Sequence, residues 1–435
     1  MSVEVTVDRV AAGGDGIGRL AGGRVVFVNG ALPGERAEVE VVEEHHDYAR
    51  ARAVRILDAA PGRVAPPCPN VDRGCGGCTW QHVAGATAAD LKARVVDEAL
   101  RRAGVPGPGP RADVRLTGSL PLGGYRTTAR LAVMAGGGLG YRRHRSSDRI
   151  AVDHCLVVHP RLDEVIGATR AGGVDEVTLR VGVAGGERLA VIGGVPRDGR
   201  PGRGRPGGSD RSTRTPAGAR RGRPFLEVPA GVLVVAGNQP GWLHEDVGGR
   251  RWRVSARSFF QSGPAAAAAV VDAVDAAAGD ALTSGSVLVD AYAGVGVIGG
   301  ILAARRGARL VAVESSPHAA ADARVNLVDL DASVVADEVA HWAGSPGHGV
   351  PGRPDVVVAD PARPGLGRPG VTALASTGAP RLILVSCDPA SLGRDAALLD
   401  GAGYRLADVQ VVDVFPGTPH VETVSRFDRH SGVAL

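Results

Sequence analysis

VLVDAYAGVGVIG, residues 287–299, runs an apolar strand into a glycine loop. The strand ends near Asp290, and Gly294, Gly296 and Gly299 form G-x-G-x-x-G ahead of the helical text IGGILAARRG. Glycines there let backbone N–H groups approach a ligand closely at a helix start. RLVAVE then ends a second strand at Glu314, where a carboxylate accepts from a ribose hydroxyl pair. The pattern predicts a nucleotide-like cofactor, and by itself it suits NAD as well as S-adenosylmethionine.

Strand and helix text alternates on both sides of this loop. PAAAAAVVDAVDAAAG precedes it with proline in the first helical turn, and HAAADARVNLVDL, SVVAD, DVVVADP, RLILVSCDP and SLGRDAALLDGAG follow. Apolar strands separated by helices predict an α/β domain, a doubly wound and mainly parallel sheet over residues 251–435. Two more strands should open onto the same carboxyl edge, at Asp360-Pro-Ala-Arg-Pro-Gly365 and at Ser386-Cys387-Asp388-Pro389.

A cysteine at that edge has no use in hydride transfer but suits methylation of a pyrimidine carbon. Uracil C5 is a poor nucleophile until a thiolate adds at C6, and dividing the step in this way is covalent catalysis. The helix N-terminus after Cys387 is expected to favour the thiolate. A base must then remove the C5 proton. Glu422, in His420-Val-Glu422 after the strand VQVVDVF, is the candidate, with His420 either supporting it or lying on the surface.

FFQ (259–261), DAYAGVG, DPARPG, SCDP and HVE, in this order, resemble the TrmA/RumA-like family of RNA uridine-C5 methyltransferases. The resemblance implies Cys387 as nucleophile and Glu422 as proton acceptor. It also implies Gln261, Tyr292, Gly294, Gly296, Glu314, Asp337 and Asp360 around S-adenosyl-L-methionine and the uracil, with Arg363 anchoring the target nucleotide. Val297 stands where many relatives carry a polar residue, Ala362 replaces a proline, and Asp388 replaces an asparagine. A carboxylate beside the nucleophile opposes thiolate formation unless Asp388 turns away to cap the next helix.

Residues 1–58 alternate at period two between glycine-rich turns, which predicts an OB-like β-barrel; it resembles the family's TRAM domain. Its mixed, slightly acidic charge does not by itself mark an RNA binder. Residues 59–250 are expected to form a central domain, with a helix over 85–103 and an antiparallel sheet from Arg115 to about Val195.

Cys68, Cys75 and Cys78, spaced x₆ then x₂, with distant Cys155, suit a four-thiolate site. Zinc accepts four thiolates, commonly as two close pairs. The three-plus-one spacing and the likeness of CPNVDRGCGGC to the family's iron–sulfur motif favour a [4Fe–4S] cluster.

Residues 197–224 hold nine arginines against two aspartates, so a net charge of +4 becomes −3 without them. This low-complexity insertion reads as a disordered linker or an RNA-contacting tail. No apolar run reaches membrane-spanning length, and MSVEVTVDRV lacks a signal-peptide pattern. A cytoplasmic monomer is expected, with RNA as partner, ribosomal RNA before tRNA. A cytosine-C5 enzyme would carry its cysteine at the DPAR position and an amino-group enzyme an aromatic there; a non-catalytic RNA-binding factor would not need both Cys387 and Glu422.

Overall fold

The computed structural model describes residues 2–105, 114–193, 224–345 and 352–430. The Arg/Gly-rich insertion therefore lies, but for Pro224, outside the described residues.

Strands Ser2–Val10, Gly16–Arg19, Val25–Asn29, Arg36–Glu44 and Tyr48–Asp58 close into a barrel, in the order first, second, third, fifth, fourth. Period-two alternation sends Val5, Val7, Val26, Val28, Val39 and Ala49 inward as its core. The expected OB-like barrel is present.

The central sheet has six strands, in the order Val232–Val235, Arg188–Ile192, Glu176–Val181, Thr128–Val133, Leu139–Arg142 and Arg149–Ala151. Its pairs are antiparallel, as expected, except that Val232–Val235 runs parallel to Arg188–Ile192. Arg115–Ser119 departs from expectation. It pairs in parallel with Tyr404–Asp413 at the edge of the carboxy-terminal sheet. The chain is drawn there because helix Gly85–Arg102 packs on helix Pro389–Gly401, so closely that a Cβ on Gly393 would lie 2.8 Å from the Ala99 carbonyl oxygen.

The carboxy-terminal sheet has eight strands. Ala332–Val335, Arg309–Val313, Val287–Ala291, Val356–Ala359 and Arg381–Ser386 are parallel neighbours in that order. Thr423–Arg429 joins antiparallel, followed by Tyr404–Asp413 and Arg115–Ser119. Helices on both faces bury Leu288, Val289, Val311, Val357 and Val358, so these strands read as continuous apolar runs. Strand order reverses between Val287–Ala291 and Val356–Ala359. This switch point opens a crevice at the carboxyl ends, where doubly wound sheets bind ligands. Among the described residues no helix is long and apolar enough to cross a membrane.

Candidate active site

The glycine loop leaves the switch point in a bent conformation. Tyr292 (φ 67°), Gly294 (φ 58°) and Gly296 (φ 90°) all have left-handed backbone, which is unusual for a bulky residue such as tyrosine. The bend aims the loop at the Glu314 carboxylate, whose Oε2 accepts from Gly294 N (2.9 Å) and whose Oε1 accepts from Ser316 N (2.6 Å). Burial raises its pKa. Beneath the loop, buried Asp290 accepts from Gly299 N at 2.8 Å, while its Oδ1 has no partner. Burial, with Asp360 and Glu314 adding repulsion, pushes Asp290 up to about 7. A Cβ on Gly299 would lie 2.7 Å from that carboxylate, so the third glycine serves helix-to-strand packing. Bent backbone, an acid on the neighbouring strand and a buried carboxylate with a vacant acceptor together fit a nucleoside-bearing cofactor. Asp337 follows strand Ala332–Val335 on the same edge, where it accepts from Glu338 N and meets His341 Nδ1 at 2.5 Å.

Across the switch point three reactive groups converge. Asp360 ends strand Val356–Ala359, Cys387 follows strand Arg381–Ser386, and Glu422 precedes strand Thr423–Arg429. Ser386 pairs with Thr423, so the antiparallel register sets Cys387 across from Glu422. Burial pushes the Cys387 thiol up to about 12, reinforced by the charges of Glu422, Asp360 and Asp388 and opposed by Arg363. Burial and the neighbouring carboxylates thus work against the thiolate that the following helix is expected to favour. Glu422 is buried, and its pKa is raised well above the usual carboxylate range, by burial first and then by Asp360. Burial likewise raises Asp360 to about 7.

Asp388 caps helix Pro389–Gly401, with Oδ1 accepting from Ser391 N at 2.9 Å, although its charge still raises the Cys387 thiol. Its Oδ2 lies 3.6 Å from Arg363 Nε. Ser391 Oγ donates to the Arg363 carbonyl at 2.9 Å, and Asp395 accepts from Leu366 N and Gly367 N, so this helix fixes the 360–367 loop. His420 is exposed and sets its ring edge-on to Phe415.

Gln261 follows the Ser255–Ser258 turn. It lines a cavity of about 440 Å³, together with Phe259, Phe260, Tyr141, Arg126 and Arg180. The turn leading to it is held by two buried charges that the sequence motifs do not announce. Arg180 Nη1 donates to the carbonyls of Ser255, Ala256 and Ser258, each at 3.0 Å. From the other side Asp322 accepts from Ser255 N (2.7 Å), Ser255 Oγ (2.9 Å), Ser258 Oγ (3.0 Å) and Arg253 Nε (2.8 Å).

Residues 2–54 match the family model described as TRAM domain. The chain is 34% identical to an RNA methyltransferase of Streptomyces avermitilis over 97% of each chain. It is 35% identical to another from Streptomyces coelicolor, over 97% of this chain and 92% of that one. This chain belongs to that family of RNA methyltransferases. Its fold is that of the Pyrococcus abyssi tRNA (uracil-54, C5)-methyltransferase, solved with S-adenosyl-L-homocysteine, at a TM-score of 0.66 and 22% identity, over 98% of this chain and all of that one.

In this RNA methyltransferase Cys68, Cys75, Cys78 and Cys155 lie within electrostatic reach of one another. The charges of Cys155 and Cys68 raise Cys75, and those of Cys155 and Cys75 raise Cys78, in each case after burial, which takes Cys78 to about 11. Gln81 accepts from Cys68 N (3.1 Å) and also hydrogen-bonds Cys78, and Tyr141 donates its hydroxyl to Cys155 Sγ at 3.7 Å. Among the described residues no three His, Cys, Asp or Glu side chains are gathered as for one metal ion.

Proposed function

We propose that this RNA methyltransferase methylates C5 of a uridine in structured RNA, using S-adenosylmethionine and a covalent Cys387–C6 adduct. The observation that carries the reading is the convergence of Cys387, Glu422 and Asp360 beside the glycine loop. One thiol and one buried carboxylate across from each other are what addition at C6 and proton removal at C5 demand.

S-adenosylmethionine, held by the Tyr292–Gly296 bend, Glu314 and, on the resemblance, Asp337 and Gln261, supplies the methyl group together with a positive charge. Cys387 gives up its thiol proton to solvent and its sulfur adds to C6, which moves an electron pair toward C5 and O4. Arg363, whose charge favours the Cys387 thiolate, assists this deprotonation and anchors the target nucleotide. Asp360 faces both Cys387 and Glu422 electrostatically and holds the uracil edge. After methyl transfer Glu422, as carboxylate, accepts the C5 proton; the C6–sulfur bond breaks, and the thiolate leaves.

The four cysteines are proposed to hold a [4Fe–4S] cluster that organises the segment around Gly76 and Gly77; methyl transfer needs no redox step. Ribosomal RNA is the proposed substrate. The likeness of fold to an enzyme acting on tRNA uracil-54 supports tRNA as the second reading. Incubation with methyl-labelled cofactor and unmodified ribosomal and transfer RNA, followed by digestion to nucleosides, tests both. Labelled 5-methyluridine is expected; label only in 5-methylcytidine or N-methylated bases would overturn the proposal.

A further inference from the structure

Lys92 is the chain's only lysine; every other one of its 50 Lys and Arg residues is arginine. It lies on the face of helix Gly85–Arg102 that also buries Ala88, Leu91, Val95 and Val96, and it is 0% exposed. Its Nζ donates to Asp413 Oδ1 at 2.6 Å and to the Phe415 carbonyl at 3.1 Å. Burial lowers the Lys92 pKa, while the charge and hydrogen bond of Asp413 work to keep the proton on. A buried ion pair of this kind seldom stabilises more than apolar residues of the same volume, since both ions give up their water. The pair is therefore better explained by what it holds than by what it adds to the fold. Lysine also supplies what arginine does not, a compact charge with three donors free to turn.

What the pair holds leads to Glu422. Asp413 ends strand Tyr404–Asp413, and Val412 N, one residue before it, donates to the Glu422 carbonyl at 2.8 Å. Residues 414–421 leave the sheet at this point and return to it at Glu422. The departure is fixed at Asp413, whose Oδ1 also accepts from Phe415 N at 3.3 Å and whose carbonyl accepts from Leu120 N at 3.1 Å. Lys92 thus binds both the side chain and the carbonyl that define the first turn. Further along, Trp80 N donates to the Gly417 carbonyl at 2.9 Å, and a Cβ on Gly14 would lie 2.6 Å from Pro419. The loop is gripped by the barrel, by the cysteine segment and, at its root, by one ammonium. The charge that raises Glu422 is that of Asp360; what Lys92 governs is where Glu422 stands.

We infer that Lys92 is a positioning residue for Glu422. Through Asp413 and the Phe415 carbonyl it sets the root of the 414–421 loop, and with it the line from the Glu422 carboxylate to the C5 proton. The inference rests on the reading of Glu422 as the base that frees the product.

The test compares full-length Lys92→Met with the double variant Lys92→Met/Asp413→Asn, which removes both charges but keeps an oxygen to accept from Phe415 N. Lys92→Met leaves a buried carboxylate unpaired and should lower the urea midpoint, and the double variant should recover most of that loss. Single-turnover reactions with methyl-labelled S-adenosylmethionine and ribosomal and transfer RNA then separate adduct formation from release. In the double variant the labelled conjugate should form within about twofold of the wild-type rate. It should release product about tenfold more slowly, short of the ~100-fold cost of a 1 Å misplacement. Release at the wild-type rate from the double variant would overturn the role. So would an equal slowing of adduct formation and release, or a urea midpoint that stays at the single-variant value, since the pair would then serve folding alone. The two readings fail separately. Absence of 5-methyluridine from the wild-type reaction removes the proposed chemistry, whereas free release from the double variant beside a stalled Glu422→Gln protein removes only the part given to Lys92.

Discussion

Cys387 stands across from Glu422, one residue beyond the Ser386–Thr423 pair that joins two antiparallel strands. The two residues are 35 positions apart in the chain, yet the charge of Glu422 raises the proton affinity of Cys387. A thiol and a carboxyl that are both reluctant to ionise suit a site that acts only once substrate is in place.

Glu422→Gln removes the proton acceptor with little change of shape. The variant should add to uracil and transfer methyl, but release product at least 100-fold more slowly, the low end of general-base contributions. Gel electrophoresis under denaturing conditions should show a methyl-labelled protein–RNA conjugate on ordinary uridine substrate. Wild-type turnover would remove Glu422 from the role.

Arg363 opposes the upward push on Cys387. Arg363→Ala should therefore raise the thiol pKa further, slow adduct formation near neutrality and move the alkaline-rising limb of the rate profile to higher pH. Arg363→Lys should recover much of the limb's position. Single-turnover rates across pH read this directly, and superimposable profiles for wild type and Arg363→Ala would contradict it.

The fold itself carries a pH dependence through Asp290, raised from 3.8 to about 7 by burial, Asp360 and Glu314. The folded state binds this proton more tightly than the unfolded chain does. Its contribution is thus full below pH 3.8 and is lost as pH rises through about 7. Asp290→Asn has no proton to lose, so between about pH 5 and about pH 8 its unfolding free energy should fall less than that of the wild type. Urea titrations at the two pH values measure the difference, and parallel changes would contradict it.

Protein purified without oxygen should be brown and hold about four irons, the content of one four-cysteine cluster. Cys155→Ala should lose most of the iron. One zinc per chain and no iron would overturn the cluster.

Much of this was legible because the motifs are local. The bend at Tyr292–Gly296, the acid at Glu314 and the cap at Asp388 each follow from a few adjacent residues whose backbone chemistry is specific. The elements that depend on distant partners were not. Arg115–Ser119 has the alternation of any strand, and nothing within it says that its partner is Tyr404–Asp413. The thiol of Cys387 looked activated from its helix, because sequence order displays the helix but not the carboxylates that folding gathers around it. Arg180 and Asp322, which hold the Ser255–Ser258 turn from opposite sides, sit in ordinary strand and helix text. Their function arises only from tertiary placement.

The central claim is that Cys387 attacks a uridine ring. Ribosomal and transfer RNA transcribed with 5-fluorouridine in place of uridine test it most directly, since fluorine cannot leave C5 as a proton does and the thioether should persist after methyl transfer. The account predicts a denaturation-resistant, methyl-labelled protein–RNA adduct with the wild-type enzyme and none with Cys387→Ala. An adduct that survives the replacement of Cys387, or methylation of these RNAs with free turnover and no adduct, would contradict it.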